Sequence, residues 1–125
     1  MAKRDDRPID VGLAALTGND EAAAIAFWKK RFELIAAIPS DVARVGALTP
    51  QLRELTRMSN EVERERLTRA RIVAFAQLSS DVKQKIMDAR KAAWNIDKAV
   101  LEKDQALVDK IMPTVDASVR SAYPS

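Results

Sequence analysis

The side chains of this protein that could take part in chemistry are its carboxylates, hydroxyls, lysines and arginines, because histidine and cysteine are both absent. Without cysteine the chain can form no disulfide, thiolate nucleophile or zinc–thiolate site. Without histidine it can form no Ser-His-Asp or Cys-His catalytic system and no imidazole-bound metal site. We therefore expect a non-enzymatic protein that needs no cofactor.

One segment places carboxylates at a spacing that could hold a divalent cation. Glu61 and Glu65 are four residues apart and would share one helix face, with Glu63 between them. Three arginines lie beside this set: Arg64, Arg66 and Arg69. Because these cations can neutralise the carboxylates, we favour a solvated, charge-paired helix face. A metal- or ligand-binding bundle is kept as a third alternative.

A second segment, residues 42–57, could contact DNA. Its sequence VARVGALTPQLRELTR places a glycine ahead of Leu-Thr-Pro and two leucines at core positions of the following helix. The segment resembles the LGLTP turn of MarR-like regulators, although the turn here is one residue longer. The resemblance implies a helix-turn-helix whose phosphate or base contacts come from Arg44, Arg53 and Arg57. DNA binding is therefore the alternative function.

The elements that must position these residues are expected to be helices. The chain has 125 residues, of which 47% are apolar, 31% charged and only 5% aromatic, and alternating strand-like runs are absent. This composition favours an all-α helical bundle. The net charge of +3 comes from 21 basic and 18 acidic residues, a mixture too even to indicate a nucleic-acid partner by itself.

The N-terminal part predicts a leader followed by one helical domain. We expect residues 1–9 to be disordered and 10–125 to form a single domain, with a short helix at Asp10–Thr17 and a longer one at about 20–38. Lys29-Lys30-Arg31 interrupt the most apolar run, so it should not span a membrane. With no signal-peptide pattern at the start, we expect a cytoplasmic protein.

The absence of glycine and proline between Pro50 and Pro113 predicts a long antiparallel α-hairpin. Its arms would be helices at about 50–78 and 81–112 that turn at Ser79-Ser80, with the N-terminal helix packed on them. Asn60 and Glu63 have the spacing of a capping box, so a break near Ser59-Asn60 is the alternative to one continuous first arm.

The second arm carries two apolar stripes. One follows steps of four and three residues through Ile96 and past Asp97, which argues against a helix break there. The other repeats every seven residues: Met87, Trp94, Leu101 and Val108. We expect this second stripe to bind a partner helix, most simply in a homodimer, or otherwise to be covered by the N-terminal helix.

Two charged residues lie on apolar stripes and should need partners. The register of a hairpin that turns at Ser79-Ser80 places Asp104 near Arg57 or Arg53, and we predict its contact with Arg57. The same register places Asp88 within reach of Arg69.

A weak internal repetition relates two predicted helix ends. Residues 31–42 and 71–82 are identical at five of twelve aligned positions, RFELIAAIPSDV against RIVAFAQLSSDV. Shared helix-end chemistry and duplication both explain this, and two partial copies are too few to establish a repeat array.

Overall fold

Six α-helices account for most of the chain that the structure, a computed structural model, describes, namely residues 20–123. They are α1 Glu21–Ala36, α2 Asp41–Thr56, α3 Glu61–Ala76, α4 Ser80–Ile96, α5 Lys98–Ile111 and α6 Ala117–Ala122, with a 3-10 turn at Met112–Thr114. The expected leader and the expected helix at Asp10–Thr17 lie outside these residues. The all-α bundle is confirmed, with no strand between residues 20 and 123, and none of these helices is long and apolar enough to cross a membrane.

The core forms where α1 packs on α3 and where α2 packs on both α4 and α5. Trp28 of α1 is completely buried in this core. Its ring contacts Phe32, whose ring meets Phe75 of α3 edge to face at 5.9 Å. Aromatic rings, few in this sequence, thus join the first and third helices.

The predicted first arm of the hairpin is divided into two helices. Helix α2 ends at Thr56, and α3 begins after Asn60, whose side chain accepts a hydrogen bond from the backbone N–H of Glu63 at 3.0 Å. Asn60 and Glu63 are the pair whose spacing predicted the alternative, a break near Ser59-Asn60. The expectation of one continuous helix was wrong, because the Asn60 cap stabilises a new helix start.

Helix α2 also begins earlier than expected and contains Pro50. Pro50 has no backbone N–H, so the carbonyl of Gly46 lacks its helical hydrogen-bond donor. Both residues are exposed, so water can satisfy that carbonyl. The Thr49 hydroxyl donates a hydrogen bond to the Val45 carbonyl at 2.9 Å. The Thr-Pro pair therefore lies within a helix and does not start one.

Three corners of similar geometry join α1 to α2, α2 to α3, and α3 to α4. At each corner, the second residue after the helix end donates its backbone N–H to a carbonyl three residues earlier: Ile38 to Ile35, Met58 to Leu55, and Leu78 to Phe75. A polar side chain then caps the next helix: Ser40, Asn60 or Ser79. The sequence repetition at an offset of 40 residues corresponds to the first and third corners.

The predicted second arm bends at Asp97. This residue leaves helical geometry, with φ −140° and ψ 68°, and its carboxylate accepts from the Val100 N–H at the start of α5. Arg90 of α4 contacts Asp104 and Gln105 of α5, so the chain folds back across this bend. The expectation of an unbroken helix was wrong. It was based on the spacing of apolar residues, which gives no information about whether a polar side chain such as Asp97 caps a new helix.

Candidate binding groove

A buried cluster of three charges joins α3, α4 and α5. Asp104 is fully buried and binds Arg71 through both carboxylate oxygens, at 2.6 and 3.1 Å. Arg90 donates to the second oxygen of Asp104 at 2.5 Å. We call Arg71, Arg90 and Asp104 the charge triad. Asp104 therefore has cationic partners, as expected. They are Arg71 and Arg90, so the predicted contact with Arg57 was wrong.

The triad carries one positive charge more than its carboxylate can neutralise. Burial alone would raise the pKa of Asp104, but Arg71 and Arg90 outweigh it and hold that pKa below its ordinary value. Burial would likewise lower the pKa of Arg71, but Asp104 and the Tyr123 hydroxyl raise it above normal. Asp104 and Arg71 therefore stay charged near neutral pH, and the two guanidinium groups and one carboxylate give the triad a formal charge of +1.

Above the triad lies an open groove of about 960 Å³, formed by α4, α5 and the C-terminal α6. Residues from Ser80 to Trp94 form its α4 wall, which is about 21 Å long at 1.5 Å per residue. Gln105 and Val108 of α5, Met112 of the 3-10 turn and Tyr123 after α6 also line it. The groove exists because α4 and α5 pack more on α2 than on each other.

The seven-residue stripe predicted as an interface is divided by the bend at Asp97. Met87 and Trp94 are half-buried and line the groove. Val108 also borders the groove but is 3% exposed, and Leu101 is fully buried in the core. Of the four stripe residues, Met87 and Trp94 are therefore the two that present partly exposed apolar surface to the groove.

Basic side chains predominate around the groove. Four of its lining residues are basic, namely Lys83, Arg90, Lys91 and Arg120, and two are acidic, namely Asp88 and Asp109. Each acid accepts a hydrogen bond at 2.9 Å from a glutamine four residues earlier on its own helix. Asp88 therefore pairs with Gln84, and Arg69, its expected partner, instead donates to Thr114 at 3.2 Å.

A cavity of about 20 Å³ lies beneath the groove, between the triad and the aromatic core. Arg71, Arg90 and Tyr123 line it together with Phe75 and Met87. The volume is enough for roughly one water molecule, and the two guanidinium groups and the phenol supply polar partners for it.

The segment that resembles a helix-turn-helix has no turn. Residues 41–56 form one helix through Gly46 and Pro50, so the predicted turn was wrong. Arg44 pairs with Asp41 at 2.5 Å, and Arg53 pairs with Asp97 at 2.8 Å, while Arg57 is exposed after the helix end. These three arginines therefore do not belong to a separate recognition helix that follows a turn.

The acidic set on α3 is paired with cations. Lys110 of α5 binds both Glu61, at 3.1 Å, and Glu65. Hydrogen bonding to Lys110 lowers the pKa of Glu61. Glu63 pairs with Arg66 at 2.8 Å. Among residues 20–123 no acidic side chains cluster in a way that could hold a metal ion.

Comparison of the chain with protein-family models, with curated proteins and with solved structures found no match. The residues of the candidate site that sequence reasoning missed are Arg71 and Arg90, the two partners of Asp104. A signal for Arg71 was present, since it interrupts the mostly apolar second half of α3. Arg90 carried no such signal, because its role depends on how α5 folds back.

Proposed function

We propose that this chain is a non-enzymatic helical protein that acts through protein–protein contacts, and that its α4–α5 groove binds a helix of a partner protein. The observation that supports this most directly is the groove itself, whose lining combines apolar side chains with more basic than acidic ones. Helix-in-groove recognition uses this combination of apolar anchors and flanking charges.

The shape of the groove favours a helix as its occupant. A partner helix of about 14 residues would match the 21 Å wall formed by α4. Met87 and Met112 offer flexible, polarisable contacts that adapt to apolar side chains. Trp94 provides a large aromatic surface of the kind that contributes most to binding energy at interfaces.

The charge around the groove favours an acidic partner. Four basic side chains against two acidic ones attract a helix that carries glutamate or aspartate beside its apolar face. Asp88 and Asp109 interrupt the basic border on both sides, which disfavours the continuous phosphate backbone of a nucleic acid.

A second copy of the chain, the partner predicted from the sequence, competes with this proposal. Two grooves face to face would bring their basic borders together, and like charges at an interface are unfavourable. Light scattering after gel filtration distinguishes the two. We expect a mass near 13.9 kDa for the isolated chain. A dimer of the wild type that Met87→Glu converts to monomer would assign the groove to self-association and contradict an acidic partner helix.

Selection of binding peptides tests the proposal. The probe is a displayed library of 14-residue amphipathic helices with randomised polar positions, and the target is the full chain. We expect binders whose affinity falls about tenfold or more with Met87→Glu, because a buried carboxylate would lie on the groove floor. Val42→Glu is the matched control, since Val42 is 81% exposed on α2, away from the groove. Failure to recover binders, or equal affinity for both variants, would contradict the proposal.

A further inference from the structure

We infer that Arg90 selects a carboxylate side chain of the partner helix, so that the groove recognises a glutamate or aspartate at one fixed position. This inference rests on the proposed function, because it assigns a specificity to the same groove. The observations behind it are the position of Arg90 between the buried triad and the groove, its unused hydrogen-bond donors and the net charge of the triad.

Arg90 connects the interior to the groove. Its side chain is 12% exposed, and it lines both the groove and the small cavity beneath. On one side it binds Asp104, and on the other it donates to the side-chain oxygen of Gln105 at 2.9 Å. Asp104 and Gln105 thus fix the orientation of the guanidinium, which lowers the entropic cost of binding a ligand.

The guanidinium of Arg90 has donors left for a ligand. A guanidinium carries five N–H groups. Within the part of the chain that the structure describes, Arg90 uses two of them, in hydrogen bonds to Asp104 and Gln105. A partner carboxylate that reaches the groove floor can accept the remaining N–H groups, and a charge-assisted hydrogen bond of this kind is about twice as strong as a neutral one.

The charges of the site favour a carboxylate over a phosphorylated side chain. The triad contains two guanidinium groups and one carboxylate, so its net charge of +1 is matched by a single negative charge. A phosphorylated residue brings a charge of about −1.5 to −2, which exceeds the single positive charge that the triad leaves unmatched.

The test compares selections against the wild type and against Arg90→Met. Removing Arg90 leaves Asp104 in a one-to-one pair with Arg71, so the variant should fold, and its thermal unfolding verifies this. Wild-type binders should share an acidic residue at one groove-facing position. Replacing that residue by Gln should weaken binding to the wild type about tenfold or more, but less than about twofold for Arg90→Met.

Lys91→Met is the matched control, because it removes a positive charge from the exposed border of the groove. It should lower the affinities of the acidic and the Gln peptides in a salt-dependent way without removing the difference between them. Binders without a shared acidic position, or an equal loss in the wild type and Arg90→Met, would overturn the inference. If those binders were still sensitive to Met87→Glu, the proposed function would stand and only the role of Arg90 would fail.

Discussion

A single buried carboxylate, Asp104, holds two guanidinium groups that come from different helices. Removing one partner from a buried ion pair leaves an uncompensated charge, which costs far more than the intact pair contributes. The sequence could show that Asp104 interrupts an apolar stripe and needs a cation. It could not show which one, because the partners Arg71 and Arg90 are brought near it by the bend at Asp97 and by the packing of α3 on α5.

Asp104→Asn should destabilise the protein strongly, because it leaves Arg71 and Arg90 buried without a counter-charge. We expect the free energy of unfolding to fall by about 3–5 kcal/mol, measured by urea denaturation. Asp109→Asn is the matched control, since Asp109 is exposed five residues further along α5 and should change stability by less than about 0.5 kcal/mol. Equal effects of the two substitutions would contradict the importance of the triad.

The same residue predicts a dependence of stability on acid. The pKa of Asp104 is lower in the folded protein than its unfolded value of about 3.9. Its stabilising contribution is therefore fully present above that unfolded value and is lost as the pH falls through the folded pKa.

We expect the unfolding free energy of the wild type to decrease below about pH 4 and Asp104→Asn to show a shallower decrease. The difference in slope should approach about 1.4 kcal/mol per pH unit, the value for one proton. Asp97 and Glu61 also have lowered pKa values, so part of the acid dependence should remain in the variant. Parallel pH profiles would contradict this account.

Helix caps determine where the helices of this fold begin. The sequence pattern predicts two long helices, but each is interrupted by a cap that starts a new helix, at Asn60 in the first and at Asp97 in the second. The first was recognisable from its spacing to Glu63. The second was hidden, because apolar residues continue the stripe on both sides of Asp97 and Val100 occupies the position where a capping box would have Glu or Gln.

Asp97→Ala tests the bend between α4 and α5. It removes the cap of α5 and the ion pair with Arg53, whose side chain is 35% exposed. A lost cap costs about 1 kcal/mol, and a partly exposed pair adds less than about 1 kcal/mol. We therefore expect a loss of roughly 1–2 kcal/mol in denaturant unfolding.

Asp81→Ala provides the comparison for the bend, because Asp81 is exposed in the first turn of α4 and does not cap that helix. It should change stability by less than about 0.5 kcal/mol. If Asp97→Ala proved as mild as Asp81→Ala, the bend would be maintained by packing alone.

At the scale of the whole molecule, α2 supports the two helices, α4 and α5, that form the walls of the groove. It contacts α4 and α5 extensively and touches α1 and α3, so α4 and α5 are held apart at the surface. The class of fold and the N-terminal helix were predictable from composition and apolar periodicity. The groove was not, because it results from a bend and from contacts between elements distant in sequence.

The most direct test of the groove uses the only two tryptophans of the chain. Trp28 is fully buried in the core, whereas Trp94 lines the groove. In a ¹⁵N–¹H correlation spectrum each indole N–H gives a separate signal. When a selected acidic helix is added to the full chain, the Trp94 indole signal should shift with increasing peptide while that of Trp28 stays in place. Binding that leaves the Trp94 signal unchanged would contradict the assignment of function to this groove.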